Sequence, residues 1–112
     1  MNCIFCKIAN KEIPSQIVFE DDTIIAFKDL NPQAPVHFLV VPKEHIKSAD
    51  VLNDTNCEVI GHIFATIPKI AKELGVTNGY RIVNNCGEDG GQTVGHIHFH
   101  VLGGRLLAWP PG

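Results

Sequence analysis

Between Val59 and Leu74 the apolar residues Val59, Ile60, Ile63, Phe64, Ile67, Ile70, Ala71 and Leu74 recur at steps of three and four. That spacing predicts one long amphipathic helix. Thr55 with Glu58 three residues on has the capping-box pattern. Lys69 and Lys72 suit the C-terminal end of the dipole, and Gly75 fits the residue just past the end. Pro68 is the awkward member, expected to kink or split the helix. A shorter helical pattern, Ile4, Phe5 and Ile8, lies within Cys3 to Asn10 and is broken at Ile13-Pro14-Ser15. Ser48 is placed to cap a further short turn through Leu52.

The other patterns read as strands. Ile17 to Glu20 and Thr23 to Lys28 form a hairpin about Asp21-Asp22, which is not among the strongest turn dipeptides. Val36 to Val41 is a third strand ended by Pro42, after the proline-pinned loop Asp29 to Pro35. Tyr80 to Asn84 is a fourth. The fifth is the stretch His96-Ile97-His98-Phe99-His100-Val101-Leu102, entered through the loop Asn85 to Gly91. Strands, a helix, then strands with short connections predict an α+β domain: a mostly antiparallel sheet with its helix on one face.

Alternation with a period of two puts His96, His98 and His100 on one strand face and Ile97, Phe99 and Val101 on the other. Successive imidazoles then stand about 7 Å apart, from a rise of about 3.3 Å per residue. The apolar set packs on the core. His37 has the parity opposite Phe38 and Val40, so it joins the histidine face if its strand pairs near the fifth.

Composition narrows the partners. The chain has 112 residues, a formal charge of −3 and no basic block, so DNA is not expected as a partner. No apolar run approaches a membrane span, and no charged segment followed by an apolar stretch suggests a signal peptide. The four cysteines, Cys3, Cys6, Cys57 and Cys86, are then read as those of a cytoplasmic protein, in metal binding or burial rather than disulfides.

Two chemistries suit the histidine row. A neutral imidazole can attack phosphorus while its neighbours stabilise charge or donate protons. His98 would be the nucleophile, with its other nitrogen held by a backbone carbonyl or by His37. Gly91 N–H, the Gln92 amide and the Thr93 hydroxyl would be donors to a phosphoryl group or leaving group. Alternatively, two histidines at i and i+2 could hold a catalytic zinc, with Glu88 or Asp89 as base. The bland alternative is a solvated polar face. Asp29, at a strand end, is either a turn cap or an acceptor for a ribose diol. Cys3-Ile4-Phe5-Cys6 is half of a structural zinc site, a redox pair or incidental; for zinc, Cys57, Cys86, His45, His62 and the triad compete as the remaining ligands. His62 is expected to be structural or solvated, and Trp109 to pack on the core or on a partner chain.

These residues resemble the histidine triad (HIT) family. His96 to Leu102 matches its H-φ-H-φ-H-φ-φ pattern, where φ is apolar. Phe19 to Asp22, Asp29 to Pro35, His37 to Lys43, Gly90 to Val94, Leu102 to Arg105 and Trp109 to Gly112 resemble its Hint branch. The resemblance covers essentially the whole chain, 1–112, as one HIT domain. It implies a five-stranded antiparallel sheet with a long helix and a short N-terminal helix, dimerising into a ten-stranded sheet. It implies a purine nucleoside phosphoramidase, cleaving P–N bonds and some acyl-nucleotides through a nucleotidyl-histidine on His98, supported by His37, His96 and His100. A nucleotide-binding or scaffolding module with weak turnover is the alternative. By position Asp29 resembles the ribose ligand. Ile4, Phe5, Ile8, Phe27, Leu30 and Leu39 resemble the base cleft, and Asn85, Gly91, Gln92 and Thr93, with His98 and His100, the phosphate contacts. Thr93 stands where the branch often has Ser. The resemblance also implies a structural zinc on Cys3, Cys6, His45 and His96, which would remove His96 from acid–base work.

Overall fold

Alternation within adjacent strands gives the sheet two apolar faces, and a helix covers each. The computed structural model describes residues 3–112. Its strands are β1 (Ile17–Glu20), β2 (Ile24–Lys28), β3 (Val36–Pro42), β4 (Tyr80–Val83) and β5 (Phe99–Gly103). They pair antiparallel in the order β1-β2-β3-β5-β4. The helices are α1 (Ile4–Ala9) and α2 (Glu58–Glu73). Ile24, Ala26, Phe38, Val40, Phe99 and Val101 face Ile63, Ile67 and Ile70 of α2. Ile25, Phe27, Leu39 and Val41 form the other layer, closed by Phe5 and Ile8 of α1. The expected α+β architecture is therefore present, with strand and helix limits within a residue or two of the sequence reading except at the start of β5.

The β1–β2 turn works despite its weak dipeptide because Asp21 caps it. Its Oδ1 accepts the N–H groups of Thr23 (2.9 Å) and Ile24 (3.0 Å), an Asx turn. Its Oδ2 lies 2.6 Å from His62 Nε2, tying the turn to α2. Burial opposes ionisation of Asp21, but the His62 bond and the two backbone donors hold its pKa down to about 2.

The start of α2 differs from expectation. The Thr55/Glu58 capping box does not form. Asn53 caps the preceding turn instead: its Oδ1 accepts from Thr55 N–H at 2.9 Å and Asn56 N–H at 3.1 Å. The chain enters α2 through that turn, and Cys57 at the helix N-cap makes no side-chain cap. At the other end, Gly75 N–H bonds Lys72 O and Val76 N–H bonds Ala71 O. That is a Schellman stop, with Gly75 at φ 82°. Pro68 does not divide α2. It lies on the exposed side, where water can replace the N–H that the Phe64 carbonyl loses. The turn Ala49–Val51 is capped by Ser48 as expected, its Oγ accepting from Asp50 N–H.

The histidine strand is shorter than its alternation implies. Pairing with β3 runs from Val36↔Gly103 to Val40↔Phe99. Two residues further on, Pro42 would oppose Ile97, and proline has no N–H to offer a ladder. Ile97 N–H bonds Ile46 O instead, at 2.6 Å. His96 and His98 therefore precede the regular strand, and the three imidazoles do not stand in one straight row.

Candidate active site and metal centre

His37 lies on β3 two residues from Leu39, which pairs with His100. Sheet parity thus brings His37 to the α1 side of the sheet together with His100 and the layer formed by Phe27, Leu39 and Phe5. His98 meets the same face from the segment before β5. Its ring centroid is 5.2 Å from that of His100 and 5.0 Å from Phe5, which meets it edge-on.

Hydrogen-bond partners assign the tautomers, because each partner has a fixed role. A backbone N–H only donates, and that of Gln33 lies 3.0 Å from His37 Nδ1. His37 Nδ1 is therefore an acceptor, and the ring proton is on Nε2. His37 Nε2–H donates to His100 Nδ1 at 2.9 Å. His100 in turn carries its proton on Nε2. A carbonyl only accepts, and that of His96 lies 2.8 Å from His98 Nδ1. His98 therefore holds its proton on Nδ1, which leaves the Nε2 lone pair for a nucleophile. The same logic applies to His96: Nε2–H donates to Pro42 O at 2.8 Å, leaving Nδ1 as a lone pair.

The electrostatics agree with neutral rings. Burial lowers the pKa of His37 below its ordinary value against the opposing Asp29 carboxylate. Burial lowers that of His100 too, assisted by His98 and His37 and opposed by Asp29. Asp29 Oδ2 stands 3.5 Å from His37 Nε2 and 3.9 Å from His100 Nδ1. Its Oδ1 accepts the Asn31 N–H at 2.8 Å, so it also caps the loop after β2.

His96 points elsewhere. Its Nδ1 lies 3.3 Å from Cys3 Sγ, 3.5 Å from Cys6 Sγ and 3.2 Å from His45 Nδ1; Cys6 Sγ lies 3.3 Å from His45 Nδ1. A tetrahedral zinc with bonds of about 2.3 Å to sulfur and about 2.0 Å to nitrogen has edges of about 3.3 Å between nitrogens and about 3.5 Å between sulfur and nitrogen. The four side chains fit such an ion. The Nε2–H bond from His96 to Pro42 O supplies the outer partner that fixes a ligating imidazole. Burial, together with the hydrogen bond and charge of Cys3, pushes the Cys6 thiol up to about 11; a bound dication reverses this, since a coordinating thiol is deprotonated. Burial also lowers the pKa of His96, as do His45 and His98, against the Pro42 carbonyl.

The rival site, zinc on two triad histidines, does not assemble. Among the described residues, no metal-sized cluster contains two of His96, His98 and His100. Asp29, His37 and His100 also converge, but one shared proton already satisfies the two facing nitrogens.

The Gly-Gly-Gln-Thr loop is more self-contained than its composition suggests. The Gln92 amide donates to Lys47 O (2.8 Å) and Val94 O (2.9 Å) and accepts from Gly87 N–H. Gly91 N–H bonds Glu88 O. Asn85 Nδ2 bonds Gly90 O at 2.7 Å. These donors shape the loop, while Thr93 is exposed. In the proposed base wall, Phe5, Ile8, Phe27 and Leu39 are buried together, whereas Ile4 is half-exposed and Leu30 is 98% exposed. Trp109, at 83% exposure, does not pack on the core.

The family model for the C-terminal binding domain of scavenger mRNA decapping enzyme matches residues 2–107. A HIT family hydrolase from Legionella pneumophila superposes with a TM-score of 0.96 at 50% identity, over 99% of this chain and 100% of that one. The chain belongs to the HIT family. Its HIT relatives include the 14 kDa zinc-binding protein of Zea mays, 45% identical over 97% of this chain and 87% of that protein. Adenylylsulfatase HINT1 of Arabidopsis thaliana is 45% identical over 97% of this chain and 76% of that protein. The five-stranded sheet with its long and short helices is the fold of the Legionella hydrolase on which it superposes.

Several residues that shape the HIT site were not visible as such in the sequence. Gln33 acts through its backbone N–H, and Pro42 through its carbonyl. Asn84 Nδ2 donates to His98 O at 2.9 Å and so holds the triad segment from β4. Main-chain groups leave no mark in residue type. Asn84, at a predicted strand end, had only its position to recommend it.

Proposed function

We propose that the protein is a HIT hydrolase, a purine nucleoside phosphoramidase acting as one HIT domain over residues 1–112. The observation that carries this reading is the tautomer of His98: Nδ1–H is held by the His96 carbonyl at 2.8 Å, and Nε2 is left as a lone pair. In the first step that lone pair attacks the α-phosphorus and a P–Nε2 bond forms. The P–N bond to the amine breaks, and the amine leaves with a proton from solvent. Water then attacks phosphorus, the P–Nε2 bond breaks, and the nucleoside monophosphate leaves. The positive ring formed in between is stabilised by its Nδ1–H···O=C bond, as a carboxylate does for other catalytic imidazoles.

His100 Nε2–H is free to donate to a phosphoryl oxygen, and His37 holds it in that tautomer. Asp29 takes the ribose hydroxyls; Phe5, Ile8, Phe27 and Leu39, with Ile4 and Leu30 at the rim, form the base side. Asn85, Gly91, Gln92 and Thr93 shape and line the phosphate side, with the Thr93 hydroxyl as the exposed donor. Acyl-nucleotides are within the same chemistry, consistent with the Arabidopsis relative's name as an adenylylsulfatase.

Cys3, Cys6, His45 and His96 hold a structural zinc, in keeping with the maize relative's name. Its chemistry there is cross-linking: it clips α1 to the segment that carries the nucleophile. A homodimer with a ten-stranded sheet is supported by β4 being a sheet edge and by the exposed Phe64 on α2. A cytoplasmic location accords with the reduced cysteine usage; among the described residues no helix is long and apolar enough to cross a membrane.

The test is His98→Ala assayed on an adenosine or guanosine 5′-phosphoramidate. Turnover is expected to vanish while nucleoside monophosphate binding survives. Wild-type turnover in the variant would overturn the assignment. Binding without turnover by the wild type would make the protein a nucleotide-binding module instead.

A further inference from the structure

Outside the triad, Arg105 makes an arrangement that the proposed reaction does not use directly. β5 ends at Gly103, and Gly104 turns the chain at φ 92°. A Cβ on Gly104 would lie 2.9 Å from Pro35 Cβ, so the turn is pressed against the loop between β2 and β3. From there the Arg105 guanidinium reaches across. Its Nε and Nη2 both donate to the Gln33 carbonyl, at 3.2 and 2.9 Å. Its Nη1 donates to Leu106 O. The other end of the same loop is held by Asp29 Oδ1 on Asn31 N–H and by Gln33 Nε2 on Asn31 O.

Gln33 is the residue whose N–H points at His37 Nδ1. That bond, with the Asp29 carboxylate 3.5 Å from His37 Nε2 on the other side, sets which nitrogen of His37 carries the proton, and through His37 the tautomer of His100. An imidazole without such a donor samples both tautomers, and in one of them His37 Nε2 and His100 Nδ1 present two lone pairs to each other. Gln33 is exposed, so hydrogen bonds, its own Nε2 on Asn31 O among them, must hold its N–H in place. The fork of a guanidinium on the Gln33 carbonyl does so, because its donors are rigidly spaced and always charged.

We propose that Arg105 is a positioning residue for the His37–His100 pair: it anchors Gln33 so that its N–H locks both rings as Nε2–H tautomers. The effect on turnover rests on the phosphoramidase reading; the tautomer itself does not.

The experiment uses full-length protein labelled with ¹⁵N-histidine and reads ring tautomers from long-range ¹H–¹⁵N correlations. In the wild type His37 and His100 show the Nε2–H pattern and His98 the Nδ1–H pattern. Arg105→Met is expected to move His37 and His100 towards averaged signals while His98 keeps its own, since its anchor is the His96 carbonyl. Its kcat should fall on the order of tenfold, with KM little changed, as expected for a small displacement of a charge-stabilising donor. Arg105→Lys, which keeps one charged donor for the Gln33 carbonyl but not the rigid fork, should restore the pattern and the rate only in part. If the methionine variant does not fold, Arg105→Gln is read in the same way, being too short to keep the fork. A folded Arg105→Met or Arg105→Gln variant whose His37 and His100 signals match the wild type would overturn the proposal. Absence of turnover in the wild type, with the tautomer change still seen, would count against the phosphoramidase reading alone.

Discussion

Removing one metal ligand should release α1 and leave the sheet standing. Cys6→Ser is the perturbation. α1 has six residues, too few to be stable alone. Two of its side chains, Phe5 and Ile8, are buried against Ile25, Phe27, Leu39 and Val41. Burying such a side chain contributes about 1.5–3 kcal/mol, so the two supply about 3–6 kcal/mol. Ordering the six backbones costs about 1 kcal/mol each at the low end, about 6 kcal/mol in all. The two nearly cancel, so on the proposed zinc reading the metal clip decides whether α1 stays docked. The larger layer between the sheet and α2, with Phe38, Ile63, Ile67 and Ile70 almost fully buried, does not depend on it. Hydrogen exchange read by mass spectrometry checks this. In Cys6→Ser, or in wild type stripped of metal by a chelator, amides of residues 4–12 should lose protection while those of β2, β3 and α2 keep theirs. Phe5 also contacts the His98 ring, so catalysis should weaken in parallel. Unchanged protection of α1 after verified metal loss would refute the reasoning.

Two further outcomes follow from the geometry. The pKa of both His37 and His100 is depressed by burial, so below the ordinary value of about 6.5 the unfolded chain takes up protons that the native state refuses. Stability present above about pH 6.5 is therefore lost as the pH falls towards the depressed values. The urea midpoint should drop between about pH 7.5 and 5.5, and less so in the His37→Gln/His100→Gln double variant; equal slopes for the two proteins would show that these rings are not responsible. Asn53→Ala should cost about 1 kcal/mol of stability by urea unfolding, as the loss of a side-chain cap on backbone N–H groups does, whereas Thr55→Ala should cost clearly less; the reverse order would restore the capping box.

Much of the architecture was legible because the patterns that carry it are redundant. Eight apolar positions mark α2, and a slip of one residue in β2 or β3 would turn Ile25 or Leu39 to the wrong layer. Parity offered His37 as a neighbour of His100 once its strand paired with the fifth, which it does; it did not show that His96 turns away to the cysteines. What escaped were features set by main-chain groups and by single prolines. The histidine strand was read as starting at His96, but Pro42 cannot continue the ladder opposite Ile97, and the segment turns to Ile46 instead. Gln92 looked like a phosphate donor, since an amide is a donor by type; only the folded loop shows both its protons committed to Lys47 and Val94. The metal cluster needed His45 and His96 to meet, 51 residues apart, which neither spacing nor composition could select among the competing histidines and cysteines; the family resemblance did.

The central claim is that His98 Nε2 becomes covalently bonded to the nucleotide. Rapid mixing with a purine nucleoside phosphoramidate, a millisecond quench in base and peptide mass analysis tests it most directly. The account predicts a transient nucleotidyl mass on the peptide containing His98, localised to that residue by fragmentation and absent from His98→Ala. Full turnover with no modified peptide at any quench time, or with the nucleotidyl group on His37 or His100, would contradict it.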